Sequence, residues 1–190
     1  MIWHRMPSGQ AGFAYDIVGK QMGNWNPSSE DNNDYWRVLP KKIRQAQIFI
    51  QNVKPIENQN LTVEEAERMK LEARFLIAYY YALLVEFYGA VPFTAEPIDL
   101  DAPYDVLMMQ QVPVHQVIDW IDNELLEVSK GLPASYTNPT LYGRATSLMC
   151  LAVRSRLLLL SASPLLNGNK DYMNHKNPNG EELFYSEYDV

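Results

Sequence analysis

Residues 72–93 read EARFLIAYYYALLVEFYGAVPF, an apolar segment with three consecutive tyrosines. Its uncharged part extends only from Phe75 to Val85, because Glu86 then interrupts it. A membrane-spanning helix needs about 20 consecutive apolar residues, and a charge within such a helix is costly. The segment is therefore predicted to be a helix of a globular protein, buried on most of its circumference.

The sequence also marks both ends of this helix. Thr62 and Glu65 predict a capping box, in which the Thr62 hydroxyl accepts the Glu65 amide and the Glu65 carboxylate reaches back to the Thr62 amide. Gly89 predicts a left-handed stop, and Pro92 keeps the helix from resuming. Small residues recur at helical spacing on one side of the helix, and bulky residues recur on another side. Neighbouring helices are therefore expected on at least two sides. The small set is Ala78, Ala82, Val85 and Gly89, and the bulky set is Leu76, Tyr80, Leu83 and Phe87. The same spacing favours the core for most aromatic side chains of the segment, namely Phe75, Tyr79, Tyr80, Tyr81 and Phe87.

A second part of the chain repeats this pattern. A shift of 72 positions brings Ala73 onto Ala145 and Pro92 onto Pro164, across a helix that reads SLMCLAVRSRLLLLSASPLL. The preceding amphipathic helices align with the same shift, which places Ala46, Phe49 and Val53 on Ile118, Ile121 and Leu125. The pattern predicts an all-α fold of two stacked helix pairs, each an amphipathic first helix followed by a buried second one. The alternative is that all core helices look alike and that no repeat exists.

The second apolar helix carries features that need partners. Its arginines are expected to pair with carboxylates such as Glu72 or Glu86, or to reach the surface; they are Arg144, Arg154 and Arg156. A further helix pair would normally cover this helix, so an exposed apolar face is expected near residues 157–166. Cys150, the single cysteine, is predicted to be a small core residue.

Taken together, these motifs resemble the SusD/RagB family of outer-membrane nutrient-binding lipoproteins of Gram-negative bacteria. The resemblance is carried by the 72–93 segment, by VHQVIDWIDNELLEVSKGLP, by GRAT and by the leucine-rich helix that ends in ASPLLNG. The segment YWRVLPKKIRQAQIFIQNV is similar to that family's first long helix. The resemblance covers roughly residues 35–190 and divides the chain into an irregular, loop-rich start, residues 1–34, and a SusD-like helical domain, residues 35–190.

The resemblance implies an all-α fold of tetratricopeptide-like helical pairs, an α-α superhelix with irregular surface loops. It also implies a surface-exposed protein of the outer membrane that captures glycan or peptide nutrients. It further implies a partner, a SusC-like TonB-dependent transporter to which the ligand is delivered, and neither catalysis nor a cofactor. Family members are several hundred residues long and carry a lipidated cysteine after a signal peptide. The chain has neither feature, so we expect it to be the amino-terminal portion of a longer protein, with a lipid anchor that this sequence lacks.

Composition is consistent with this interpretation. The 190 residues carry a formal net charge of −7, which argues against a nucleic-acid partner, since such a partner favours a basic face. Nucleophile-elbow, phosphate-loop and dinucleotide signatures are absent from the sequence. The three histidines lack metal-ligand spacing, and the acidic stretch IDLDAPYD lacks the glycine and distal glutamate of a calcium loop. A metal site is therefore not predicted.

Residues 21–34, QMGNWNPSSEDNND, have no periodicity and are rich in turn formers, so a surface loop is expected. Trp25, flanked by Asn24 and Asn26, is the leading candidate for a platform on which a sugar ring stacks, and Trp3 is a second candidate. The alternative for Trp25 is a plug folded over the core. Trp36 and Trp120 fall on helices and are predicted to be structural.

The predicted function is non-catalytic binding of a glycan or oligosaccharide. Two alternatives stay open at this stage. The first is a helical-repeat scaffold that binds a protein and no small ligand. The second is a hydrolase, which would require paired carboxylates across a cleft.

Overall fold

The computed structural model describes residues 21–23, 35–56, 61–185 and 187–188. The chain separates into two compact units, Met1–Val38 and Leu39–Val190, whereas the division at residues 34 and 35 stays a prediction. The described part contains five α-helices, which are α1 (Tyr35–Asn52), α2 (Val63–Tyr88), α3 (Tyr104–Leu107), α4 (Val114–Gly131) and α5 (Ser147–Ser161). Short 3-10 helices lie at Pro139–Leu141 and Lys170–Tyr172. The described residues contain isolated β-bridges but no strand, and the predicted all-α fold of tetratricopeptide-like pairs is confirmed.

Helix α2 begins and ends where the sequence predicts. The Thr62 Oγ1 atom accepts the Glu65 amide at 3.1 Å. Gly89 has a φ of 69°, and its N–H donates to the carbonyl of Val85 at 2.9 Å. The predicted return bond from the Glu65 carboxylate does not form, because that carboxylate accepts hydrogen bonds from Arg68 and Arg144. A guanidinium binds a carboxylate more strongly than a backbone amide does.

Helix α4 packs against both α2 and α5. It runs antiparallel to each, since Gly131 at the end of α4 lies against Leu71 in the first half of α2, and the Ser147 amide at the start of α5 donates to the carbonyl of Pro133, just after α4. Arg74 of α2 pairs with Glu124 of α4 at 2.6 Å, and Arg154 of α5 pairs with Asp122 of α4 at 2.5 Å. Helices α2 and α5 therefore run parallel, and they also contact each other. Apolar side chains of the three helices are fully buried and form the core; the largest are Val85, Val117, Ile121, Leu125, Val128 and Cys150.

The two predicted sides of α2 have different outcomes. The small residues Ala78, Ala82 and Val85 are buried, as expected. On the bulky side, Leu76 is 39% exposed and Phe87 58% exposed, so the prediction that Phe87 lies in the core is wrong. Helices α4 and α5 both pack against α2, and short side chains such as Ala78 and Ala82 allow neighbouring helices to approach closely.

The second copy of the helix pair is shorter than the first. Thr146 caps α5 through a 3.2 Å bond from the Met149 amide, as Thr62 caps α2. These two caps lie 84 positions apart, 12 more than the repeat shift of 72. About three turns at the start of α2 therefore have no counterpart, because the segment before Thr146 contains Pro133, Pro139 and Gly143, which interrupt a helix.

The expected apolar face is present on and after α5. Leu158, Leu159 and Leu165 are exposed, with Leu159 at 73%, whereas Leu157 and Leu166 are buried. The helical period explains part of this division, since Leu157 and Leu159 fall on different sides of α5. Leu158 is partly exposed but lies beside the start of α4. The prediction is confirmed for the outward-facing leucines.

The connection between α2 and α4 is fixed to two helices. The Tyr81 hydroxyl donates to the carbonyl of Thr94 and accepts its amide, both at 3.1 Å. Gln47 of α1 donates to the same carbonyl at 2.9 Å, and Arg44 donates to the carbonyl of Ile98. Trp120 packs edge-on against Tyr81 and Phe93, as expected for a structural tryptophan. None of the described helices is long and apolar enough to cross a membrane.

The Cys150 thiol is expected to resist modification in the folded protein. The side chain is buried in α5, and burial raises the pKa of the thiol to about 11. Because the thiolate is the reactive form, little of it is available at neutral pH. We expect a thiol-reactive disulfide reagent to modify Cys150 slowly in buffer and rapidly in urea. Equal rates in the two conditions would show that Cys150 is accessible.

Candidate functional site

The four predicted ligand residues, Trp3, Asn24, Trp25 and Asn26, lie outside the described residues. Their role as a sugar platform therefore stays a prediction. The described part of the chain contains a separate polar pocket, which the sequence analysis did not predict.

This pocket lies where the start of α4, the end of α5 and residues 176–185, here called the carboxyl-terminal segment, meet. Its volume is about 320 Å³, at the lower end of the range of small-molecule sites, which is about 300–1,000 Å³. The lining combines polar groups with an apolar floor; it consists of Val114, His115, Ile118, Asp119, Leu158, Ser161, Ala162, Leu166, Asn167 and Tyr185.

The carboxyl-terminal segment is held over α4 by backbone hydrogen bonds. A β-bridge joins Lys176 and Glu182, and the carbonyl of Leu183 accepts the Val114 amide at 3.0 Å. The buried Asn177 side chain donates to the carbonyl of Gln111 at 2.8 Å. These bonds place Tyr185, two residues after Leu183, beside His115 in the first turn of α4.

Two stacked rings form one wall of the pocket. The centroids of His115 and Tyr185 are 4.3 Å apart, and the ring planes differ by 19°. The Nδ1 atom of His115 is buried and has no hydrogen-bond partner among the described residues. The imidazole is thus held by stacking rather than by a bond from that nitrogen. Tyr185 remains 39% exposed, which leaves ring surface for a ligand.

Polar groups on two elements face the same space. Asp119 lies one helical turn after His115 on α4, and Ser161 and Asn167 come from the end of α5 and the residues after it. No described residue forms an ion pair or a hydrogen bond with the Asp119 carboxylate. Carboxylate, hydroxyl and amide groups are suited to binding the hydroxyls of a ligand.

The carboxylate count of this pocket does not match the hydrolase alternative. Asp119 is the single carboxylate among the lining residues, whereas most glycosidases use two across the scissile bond.

Sequence reasoning missed this pocket for a definite reason. The spacing of His115 and Asp119 in VHQVID, four residues apart on one helix face, was the available signal. That signal is weak, because Tyr185 and Asn167 join the pocket only through the tertiary fold. The separation of Asp119 from Tyr185 along the chain gave no local pattern to detect.

The arginine of the GRAT motif, Arg144, has a structural role. Arg144 donates to the Glu72 carboxylate at 2.8 Å and to Glu65 at 3.2 Å. The Tyr136 hydroxyl donates to Glu72 at 3.1 Å, and burial, followed by this bond, raises the pKa of Tyr136. The hydrogen bond from Arg68, together with that from Arg144, lowers the pKa of Glu65. The predicted arginine–carboxylate pairs are confirmed by Arg144 with Glu72 and by Arg156 with Glu86.

The acidic stretch after α2 forms no metal site. Asp99, Asp101 and Asp105 are all exposed. Within residues 35–56 and 61–185, no three His, Cys, Asp or Glu side chains are placed to hold a metal ion.

An apolar groove separates α2 from α5. Its volume is about 550 Å³, and Phe75, Tyr79 and Met149 contribute to its lining. The rings of Phe75 and Tyr79 stack at 5.9 Å. The groove offers few polar groups for a sugar, so the His115–Tyr185 pocket is the better candidate for a glycan.

Residues 12–159 match the family model of SusD-like proteins, which is described as starch-binding and associating with the outer membrane. No curated protein matches the chain. Among solved structures, a protein called BT4246 is similar, with 32% identity over 90% of this chain and a TM-score of 0.77.

Two further structures share the fold. A SusD-like protein from Bacteroides fragilis is 22% identical over 86% of the chain, with a TM-score of 0.60. A laminarin-binding SusD-like protein is 20% identical over 90% of the chain, with a TM-score of 0.61. The chain spans between 29% and 36% of the length of these three structures. Since the family model matches most of its residues, this chain belongs to the SusD-like family.

Proposed function

We propose that this chain is part of a surface protein that binds oligosaccharides without catalysis. The observation that carries the proposal is the match of residues 12–159 to a family described as starch-binding. The name of a laminarin-binding structure of the same fold also supports it. The pocket adds physical support, because an exposed aromatic ring beside carboxylate, hydroxyl and amide groups suits the apolar faces and hydroxyls of a sugar.

The proposal extends to what happens after capture. The family description refers to association with the outer membrane, so we infer that the protein lies at the cell surface and is held there by a lipid anchor. We further propose that it delivers its ligand to a SusC-like TonB-dependent transporter. Direct binding between the intact protein and that transporter in detergent would test this step.

A second candidate function is a scaffold for a protein partner. The exposed leucines on and after α5, Leu159 and Leu165, favour it, because large apolar patches mark interaction sites. The two functions predict different behaviour with glycans. A scaffold without a ligand site would bind none of them.

Trp25→Ala is expected to weaken oligosaccharide binding by about fivefold, since stacking on an aromatic ring contributes on the order of 1 kcal/mol. Isothermal titration calorimetry of the intact protein with starch and laminarin oligosaccharides would measure the effect. Trp36→Ala is the matched control, because it removes an exposed tryptophan that is not predicted to contact the ligand. Unchanged affinity in Trp25→Ala would show that Trp25 is not the platform.

A further inference from the structure

We propose that the His115–Tyr185 pocket is a glycan subsite that prefers neutral sugars to acidic ones. This inference rests on the proposed glycan-binding function and adds a second location and a ligand class to it. The subsite would be separate from the predicted platform at Trp25.

The aromatic wall is prepared for stacking before any ligand arrives. One side of the Tyr185 ring packs on His115 at 4.3 Å, which restricts its rotation. A ring that is already ordered loses little side-chain entropy when a sugar packs on it. The exposed part of Tyr185, together with Leu158, forms an apolar surface for the C–H face of a pyranose.

The polar groups are placed to bind the rim of the same sugar. The Asp119 carboxylate can accept two hydroxyl donors, which gives strong, charge-assisted hydrogen bonds. Ser161 and Asn167 stand on another element and can both donate and accept. A sugar ring between these elements would therefore meet apolar surface on its face and hydrogen-bonding groups at its edge.

Charge decides which sugars fit. The lining contains one carboxylate and no lysine or arginine, and the whole chain carries a net charge of −7. A uronic acid would bring a second negative charge close to Asp119, and like charges at short distance repel. Neutral sugars avoid this repulsion and retain the hydrogen bonds to Asp119.

The test is calorimetry of the intact protein with starch and laminarin oligosaccharides, and with a uronic-acid oligosaccharide of similar length. Tyr185→Ala and Asp119→Asn are each expected to weaken neutral-glycan binding by about five- to tenfold. The neutral glycan is expected to bind more tightly than the acidic one. In Asp119→Asn, the ratio of the two affinities is expected to be smaller. Tyr142→Ala is the matched control, because Tyr142 is exposed and does not line the pocket.

The outcomes separate this proposal from the general function. If Trp25→Ala weakens binding while Tyr185→Ala and Asp119→Asn bind like the wild type, the pocket proposal is overturned and glycan binding stands. If no oligosaccharide binds the wild type, both are overturned. An equal loss of glycan affinity in Tyr142→Ala and Tyr185→Ala would also contradict the pocket proposal. Because both pocket side chains are exposed, circular dichroism is expected to show that the variants remain folded.

Discussion

Arg144→Ala is expected to lower the free energy of unfolding by about 2–3 kcal/mol. Arg144 is held between Glu65 and Glu72, and its side chain is only 23% exposed. Removing it leaves two carboxylates close together and partly shielded from water. It also breaks the link between α2 and the segment that leads into α5. Urea unfolding followed by circular dichroism would measure the loss.

The chain supplies a matched control in Arg156. Arg156 joins α5 to Glu86 of α2, but its side chain is 66% exposed. Exposed ion pairs contribute about 0–1 kcal/mol, so Arg156→Ala is expected to have little effect. Similar losses in both variants would show that the shielding of Arg144 does not matter. A double-mutant cycle with Glu72→Gln would then isolate the pairwise energy.

Acid should reduce the effect of Arg144→Ala. In the folded protein the pKa of Glu65 lies below its ordinary value of 4.5, owing to Arg68 first and Arg144 second. The folded state then binds fewer protons than the unfolded state, so this contribution is fully present above about pH 4.5 and is lost as the pH falls through the lowered pKa. The difference between wild type and variant should therefore shrink below pH 4.5.

The ion pair between Glu72 and Arg144 joins equivalent positions of the two helix pairs. The two residues lie 72 positions apart, which is the shift that aligns the two helix pairs. Because α2 and α5 run parallel and contact each other, equivalent positions of the two copies come close together. Opposite charges at such positions fix the register of the two copies. The internal repeat and the ion pair are thus two results of one arrangement.

Local patterns predicted the helices but not the pocket. The caps at Thr62 and Gly89 and the buried small side of α2 depend on near neighbours in sequence, and the structure confirms them. The partner of the Glu65 carboxylate was not predictable locally, because Arg144 reaches it only through tertiary packing. The same applies to Tyr185, which meets His115 after the chain has folded back over α4.

Gly89→Ala is expected to destabilise the protein by about 2–4 kcal/mol through two additive causes. With a φ of 69°, residue 89 adopts a backbone conformation that a side chain disfavours. A Cβ atom would also lie 2.7 Å from the Cζ atom of Phe184. Phe184 cannot move freely, since it packs on Tyr172 and follows Leu183, whose carbonyl accepts the Val114 amide.

Gly143→Ala separates these two causes. Gly143 has a φ of 92°, but no atom lies within 4 Å of the position of its Cβ. This variant should show the backbone strain alone, about 1 kcal/mol. The excess loss in Gly89→Ala then measures the contact between the end of α2 and Phe184. Because Tyr185 follows Phe184, the additional loss of unfolding free energy in Gly89→Ala should be accompanied by weaker glycan binding at the proposed pocket. Equal losses in the two variants would mean that Phe184 moves aside at no cost, and that the end of α2 does not position the pocket.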